Sequence, residues 1–302
     1  MELLEKAGLA FMLVLLVIVL LGQLTPARAA EVGRGQEGLL IVVTFPCLKY
    51  DVELLACEGD VVVPLVPQGA DPHEYQLTPE DVGLLEDADV IISTAHAPFE
   101  AKIRELAEAG EIRGRLVEIP AIPGLRLLKN PSTGQENYHM PIYDPYNYRV
   151  FMAYLSEVLS GERPERAAEY EEKASEVLRA VDELLSGAPE LGARAAADMP
   201  VVQYAVSWLG VEIEFLVVKE PGAPATPGDL LSLREAMSEG EVDLVVLCEP
   251  VVSSASRRLE EMASEYGVPV LYVPSPLEAR PILDKLSDLA ERARGLNLPE
   301  QQ

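Results

Sequence analysis

Short apolar runs alternate with amphipathic stretches along the chain from residue 39 onward. The apolar runs are rich in β-branched residues, which is typical of buried strands, and the amphipathic stretches between them are typical of helices. Strands that are apolar along their whole length and are separated by helices indicate a parallel sheet that is covered on both faces. The predicted strands are residues 39–45, 61–65, 90–93, 116–119, 243–248 and 268–273.

Two helix starts carry the same signal. Thr78-Pro79-Glu80-Asp81 offers Thr as the N-cap, Pro at the first helical position and acids in the first turn, and Thr226-Pro227-Gly228-Asp229 repeats this pattern. Both segments lie where a strand-to-helix connection is expected. Further helices are predicted over residues 49–57, 99–109 and 253–266 and from residue 279 onward.

The middle of the chain is helical. Residues 146–186 form a long amphipathic region that is interrupted near Gly161 and Pro164, and in its second part the apolar residues fall on one helical face. The α/β alternation then resumes. We therefore expect an α/β fold of two lobes with mainly parallel sheets, joined by a long rigid linker helix. The predicted boundaries are 31–145 for the first lobe, 146–190 for the linker region and 191–302 for the second lobe.

The N-terminal 30 residues have the features of an export signal. Residues 7–22 are apolar and uncharged, and they precede Ala27-Arg28-Ala29-Ala30, a small-residue pattern like that read by signal peptidase. The segment before them contains two acids and one base, where a signal peptide usually has a basic region. Since the apolar run is close to the minimum length of a membrane helix, an uncleaved membrane anchor is the alternative. We expect an exported protein, either free outside the cytoplasm or attached to the membrane.

The charge of the chain excludes one class of partner. There are 50 acidic residues against 24 Lys and Arg, so the formal net charge is −26. A nucleic-acid-binding protein needs a basic face, and we find no basic patch in this sequence. The motifs His-Glu-x-x-His and Gly-x-Ser-x-Gly are also absent, which argues against a hydrolytic enzyme.

The sequence contains only three histidines, and each lies in a predicted loop. His73 follows a strand and precedes the helix at Thr78, His96 follows the strand 90–93 directly, and His139 lies in the long loop before the central helix. Ligands of open parallel sheets bind beyond the carboxyl ends of the strands. Neutral imidazoles that converge there are most simply interpreted as metal ligands.

The residues around these histidines resemble a known family. Residues 69–92, residues 138–145 and several segments of the second lobe are similar to the zinc- and manganese-specific solute-binding proteins of ABC transporters. The resemblance covers about residues 38–296. It implies two α/β lobes around a rigid helix, a transition metal bound in the cleft between them, and delivery of that metal to a membrane permease with a cytoplasmic ATPase.

Two of the four ligand positions implied by the resemblance carry unexpected residues. His73 and His139 match the first two ligands, whereas Met199 stands where the family has His or Glu and Ser275 where it has Asp. The carboxylates of Asp198 or Glu249 or the imidazole of His96 would restore a set suited to Zn²⁺ or Mn²⁺. A thioether ligand from Met199 would instead favour Cu(I). A cleft that holds something other than a bare metal is the third possibility.

We therefore expect a metal-binding component of an uptake system and not an enzyme. The alternatives are a cell-surface adhesin or sensor ectodomain of the same fold with an altered ligand, and a secreted metallohydrolase that uses the same histidines.

Overall fold

The computed structural model describes residues 38–70, 72–220 and 223–298. The predicted export signal or anchor at residues 1–30 lies outside this part of the chain. Within the described residues, no helix is both long and apolar enough to cross a membrane.

The first lobe is built on a parallel four-stranded sheet. Its strand order is β2-β1-β3-β4, and the two central strands are buried along their whole length. This burial explains why their sequences are continuously apolar, as expected for a parallel sheet with helices on both faces. The elements of this lobe are β1 (Leu40–Val43), α1 (Leu48–Glu53), β2 (Val61–Pro64), α2 (Pro79–Asp87), β3 (Val90–Ser93), α3 (Pro98–Glu108) and β4 (Arg115–Glu118).

The second lobe repeats this architecture. Its main sheet is also parallel, with the order β10-β9-β5-β6, and a short antiparallel pair, β7 and β8, follows β6. The elements are β5 (Arg194–Ala197), α6 (Val202–Ser207), β6 (Glu212–Leu216), β7 (Val218–Glu220), β8 (Ala223–Pro224), α7 (Pro227–Ser238), β9 (Leu244–Cys248), α8 (Ser254–Tyr266), β10 (Val270–Val273) and α9 (Ile282–Arg294).

Strands β5 and β6 are not among the strands predicted from the hydrophobic pattern. The buried positions of β5 are Ala195, Ala196 and Ala197, and alanine lacks the β-branched signature of a strand. Strand β6 lies at the edge of the sheet and alternates exposed and buried residues. Both strands depend on pairing with neighbours that are distant in sequence, which a local pattern cannot show.

Both predicted helix starts are confirmed. Thr78 and Thr226 each accept a hydrogen bond from the backbone N–H three residues later, and the Asp at that position bonds back to the Thr backbone. This reciprocal pair is the capping box, which satisfies two backbone donors at the start of a helix.

The linker region consists of two helices. Helix α4 (Pro145–Glu162) ends near the predicted interruption, a short 3₁₀ turn occupies Pro164–Arg166, and α5 (Ala167–Ser186) follows. The two helices pack against each other along their length. The linker is thus a helix pair rather than one helix, because Arg163 leaves helical geometry just before Pro164.

Buried polar contacts join the two lobes. The carboxylate of Asp51, on α1, accepts hydrogen bonds from the Tyr148 hydroxyl on α4 and from the backbone N–H of Ile282 at the start of α9, both at 2.8 Å. Within the second lobe, the buried ammonium of Lys285 donates to the Pro276 carbonyl at 2.7 Å and holds the start of α9 in place. One hydrophobic cluster also runs through both lobes and the helix pair. The lobes are therefore packed as one body.

All three cysteines are buried and reduced. Burial raises the pKa of Cys47 and of Cys248 to about 12, so neither thiol ionises near neutral pH. They behave as small core residues.

Replacing Asp51 with Asn should change how stability depends on pH. Burial raises the pKa of Asp51 to about 7, against about 3.9 in an unfolded chain. The folded protein therefore binds more protons between these values, so its free energy of unfolding falls as pH rises from about 4 to about 7. Because Asn does not titrate, we expect the free energy of unfolding of Asp51→Asn to fall less over this pH range, by on the order of 3 kcal/mol. Urea unfolding at several pH values measures it.

The exposed Asp87 provides the matched control, because Asp87→Asn removes a carboxylate that lies in solvent at the end of α2. An unchanged pH dependence in Asp51→Asn would contradict the prediction.

Candidate functional site

The candidate residues lie beyond the carboxyl ends of parallel strands. His73 is in the loop after β2 and His96 follows β3 in the first sheet. In the second sheet Asp198 and Met199 follow β5 directly. Likewise Glu249 follows β9, and Ser275 comes two residues after β10. This is the edge at which parallel α/β sheets bind ligands.

The three imidazole rings come together, as the sequence predicts. The ring centroids of His96 and His139 are 4.1 Å apart, and those of His73 and His96 are 5.4 Å apart. His96 therefore lies between the other two. The loop before α4 brings His139 to this edge although it is more than forty residues from His96.

A buried glutamate holds the loop that carries His96. The Glu100 carboxylate accepts hydrogen bonds from the backbone N–H groups of Thr94, His96 and Ala97 at 2.7–2.8 Å. It also accepts from the hydroxyls of Ser93 and Thr94. Five bonds to one charged group make this loop rigid, because bonds to charged acceptors are the strong ones.

An asparagine orients the ring of His139 in a similar way. The Asn137 side-chain oxygen lies 2.9 Å from Nδ1 of His139, and its amide nitrogen donates to Pro200 and Gln203 of the second lobe. The Asn137 amide nitrogen is thus occupied by the second lobe, and its oxygen faces the imidazole. Because this oxygen can only accept a hydrogen bond, Nδ1 of His139 must carry the proton. Nε2 of His139 then presents a lone pair, the form in which imidazole binds a metal.

Backbone strain accompanies both of these histidines. Ala95 and Met140 have φ values of 53° and 49°, and they are the non-glycine residues with positive φ in the described structure. This conformation is costly for residues with a Cβ atom. The hydrogen bonds to Glu100 and Asn137 hold the chain in these conformations directly beside His96 and His139.

The imidazoles of His96 and His139 are neutral in this environment. Burial lowers the pKa of His139 to about 3, with a further contribution from His96 and His73. Burial also lowers the pKa of His96, and repulsion from His73 adds to this. Neutral rings keep the lone pairs that a cation needs.

The two candidate carboxylates of the second lobe already form hydrogen bonds or ion pairs with other residues. Asp198 is fully buried, accepts hydrogen bonds from the Cys248 backbone N–H and the Ser256 hydroxyl, and has its pKa raised to about 6 by burial. Glu249 forms an ion pair with Arg292 at 2.5 Å. These contacts give both carboxylates a structural role.

The two altered ligand positions are also occupied by structural contacts. Met199 is half-buried and packs against the hydrophobic core. The Ser275 hydroxyl accepts a hydrogen bond from the Leu277 backbone N–H at 3.2 Å. Across the described ranges, no three His, Cys, Asp or Glu side chains are already arranged to hold a metal ion. The histidine rings are close together, but they need to turn before they can share one.

Sequence reasoning missed Glu100 and Asn137. For Glu100 a signal existed, because a Glu at the third position of a helix commonly bonds back to the N-cap backbone, and the Ala97 N–H makes this bond at 2.8 Å. For Asn137 the two partners from the second lobe are 63 and 66 residues away, so no local pattern reveals its role.

The chain is similar to proteins that bind transition metals. A family profile described as "Zinc-uptake complex component A periplasmic" matches residues 41–284. The manganese-binding lipoprotein MntA of Halalkalibacterium halodurans is 38% identical over 80 residues, which are 26% of this chain and 27% of that protein. The chain thus spans less than two thirds of the length of the relatives it matches in sequence.

Solved structures share the fold. The solute-binding protein FpvC of Pseudomonas aeruginosa in complex with Mn²⁺ superposes with a TM-score of 0.70 at 19% identity, over 85% of this chain and 97% of that one. The laminin-binding protein Lmb of Streptococcus agalactiae, described as having adhesin and metal-transporting activity, superposes with a TM-score of 0.68 at 18% identity, over 85% and 99%. Both show the two-lobe α/β fold.

Truncation of Glu100 should destabilise the protein strongly. Glu100→Ala leaves the buried N–H groups of Thr94, His96 and Ala97 without their acceptor, at roughly 1–3 kcal/mol for each orphaned donor. We expect the free energy of unfolding to fall by about 3 kcal/mol or more in urea titrations. Glu108→Ala, an exposed site on the same helix, is the control and should change little. Equal effects of the two substitutions would contradict this role.

Proposed function

Since the chain belongs to the family of the periplasmic zinc-uptake component, we propose that it is the exported metal-binding component of an ABC-type uptake system. It captures a transition metal ion in the cleft between its lobes and delivers the ion to a membrane permease that is driven by a cytoplasmic ATPase. The observation that carries the proposal is the meeting of three imidazoles at the carboxyl ends of the first sheet. No bond is made or broken in this function, so the protein is a carrier and not an enzyme.

The cargo is held by His73 and His139 at least. Both match ligand positions of the family, and the Asn137 contact leaves Nε2 of His139 with a lone pair. Imidazole ligands suit zinc, the metal named in the family description, and a relative is named for manganese. Copper is the further option if Met199 contributes its thioether.

An adhesin of the same fold is the second candidate function. It is favoured by the likeness to Lmb, whose description includes both adhesin and metal-transporting activity. The two functions are compatible, because a cargo cleft and a surface for adhesion occupy different parts of a protein.

Elemental analysis of the purified protein tests the proposal. After exposure to a competing mixture of Mn, Fe, Co, Ni, Cu and Zn, we expect about one equivalent of a transition metal to remain bound. The double variant His73→Ala/His139→Ala should lose it, because both are proposed ligands. The control is Tyr138→Phe, which changes the exposed neighbour of His139 and leaves both histidines intact. The proposal is contradicted if the unmodified protein retains no metal.

Metal binding should leave the overall shape almost unchanged. The second lobe is tied to the loop before α4 by the Tyr204 hydroxyl, which donates to the Asn137 carbonyl, and by Tyr143, which donates to the Pro274 carbonyl at 2.6 Å. Such contacts allow small shifts rather than wide domain closure. Small-angle scattering curves with and without Zn²⁺ should nearly coincide, with the double histidine variant as the blank. A large compaction on binding would disprove this expectation.

A further inference from the structure

We infer that His96 is the third metal ligand, so that the cargo is bound by three imidazoles that all belong to the first lobe. The inference rests on the proposed function and specifies the ligand set of that same site. His96 does not stand at a ligand position implied by the resemblance. The sequence offers it only as one of several replacement ligands, and the structure favours it over the others.

The first argument is the position of the His96 ring. It lies between the rings of His73 and His139, at centroid distances of 5.4 and 4.1 Å. Three imidazoles bound to one tetrahedral zinc at about 2.0–2.1 Å have centroids about 5 Å apart. The His73–His96 pair already has this spacing. Metal binding therefore requires the rings of His96 and His139 to separate by about 1 Å and the exposed His73 to turn toward them.

The second argument is an unsatisfied ring nitrogen. Nε2 of His96 is buried, and it makes no hydrogen bond to any residue that the structure describes. Buried polar atoms are almost always hydrogen-bonded, so an exception needs a reason. The loop that presents this ring is clamped by Glu100, and Ala95 is held at positive φ beside it. A metal-binding residue needs a fixed position and a free ring nitrogen. The rigid, strained loop gives His96 both, beside two other imidazoles.

The third argument is the state of the competing ligands. Asp198 is committed to the Cys248 N–H and the Ser256 hydroxyl, and Glu249 is paired with Arg292. Ser275 accepts from the Leu277 N–H, and Met199 packs against the core. Each donor of the second lobe would have to give up a structural contact to reach a metal, whereas His96 would gain one.

A ligand set of three imidazoles without a carboxylate selects the type of cargo. Zinc, copper and nickel accept imidazole well, whereas manganese prefers carboxylate and carbonyl oxygens. The inference therefore favours Zn²⁺ over Mn²⁺, with water or a small anion from solution as the fourth ligand. The second lobe then covers the site without supplying a charged ligand.

X-ray absorption at the zinc edge, combined with titration of Zn²⁺ alone, tests the ligand set. The unmodified full chain should show three imidazoles bound to zinc, and it should bind Zn²⁺ in preference to Mn²⁺ in competition. His96→Asn should show two imidazoles and bind Zn²⁺ at least tenfold more weakly. The matched control is the double variant Met199→Leu/Ser275→Ala, which should keep three imidazoles and bind within about twofold of the unmodified protein. Circular dichroism of each variant confirms that it is folded.

The outcomes separate this inference from the proposed function. Zinc bound with two imidazoles in the unmodified protein, or unchanged binding in His96→Asn, overturns the inference and leaves the function standing. Weakened binding in Met199→Leu/Ser275→Ala also overturns it, because the second lobe would then supply ligands. If the unmodified protein binds neither Zn²⁺ nor Mn²⁺, the inference fails, and the proposed function fails with it if no other metal of the competing mixture is retained.

Discussion

The direction of the strands is the constraint on which the site depends. All strands of each four-stranded sheet run parallel, so within a sheet every strand ends at the same edge. Loops that leave this edge carry His73 and His96 from one sheet and Asp198, Glu249 and Ser275 from the other. Reversing a single strand would carry its loop to the opposite edge, away from the other loops. The parallel strand direction therefore places the candidate residues of each sheet at one edge, and the loop before α4 brings His139 beside His96.

Buried polar side chains convert this rough proximity into a defined arrangement. Glu100 gathers three backbone N–H groups around the loop of His96, and Asn137 connects the ring of His139 to the second lobe. Each group would be costly to bury alone, and each is stabilised by several hydrogen bonds. They orient the imidazole rings through hydrogen bonds, which an apolar residue of the same size cannot form. The strained backbone at Ala95 and Met140 shows that this orientation has a cost in stability.

The two lobes contribute unequally to the proposed site. The first lobe presents three imidazoles, whereas the polar groups of the second lobe near the cleft satisfy one another through Cys248, Ser256 and Arg292. The lobes are nevertheless fastened together by Asp51, Tyr148 and the start of α9. The shared core and these hydrogen bonds favour small relative movements of the lobes over wide ones.

Local sequence determined the elements whose signals are short in range. Continuous β-branched runs identified β1, β3 and β9, because a strand buried on both faces must be apolar at every position. The capping boxes at Thr78 and Thr226 were readable for the same reason, since both partners lie within four residues. The resemblance around His73 and His139 also predicted the family, and the matching profile confirms it.

Tertiary structure decided what depends on distant partners. The alanine strand β5 exists because β6 and β9 pair with it. Pro164 marks the end of α4 in the sequence, but only the folded chain shows that α5 packs back against it. The role of Asn137 and the commitment of Asp198 and Glu249 to other contacts were also beyond a sequence pattern. The sequence pattern can place a histidine at the end of a strand, but only the folded chain decides which ring nitrogen keeps the lone pair for a metal. The reason is that side-chain orientation is set by hydrogen bonds between residues far apart in sequence, such as Asn137 and Gln203, which are 66 positions apart.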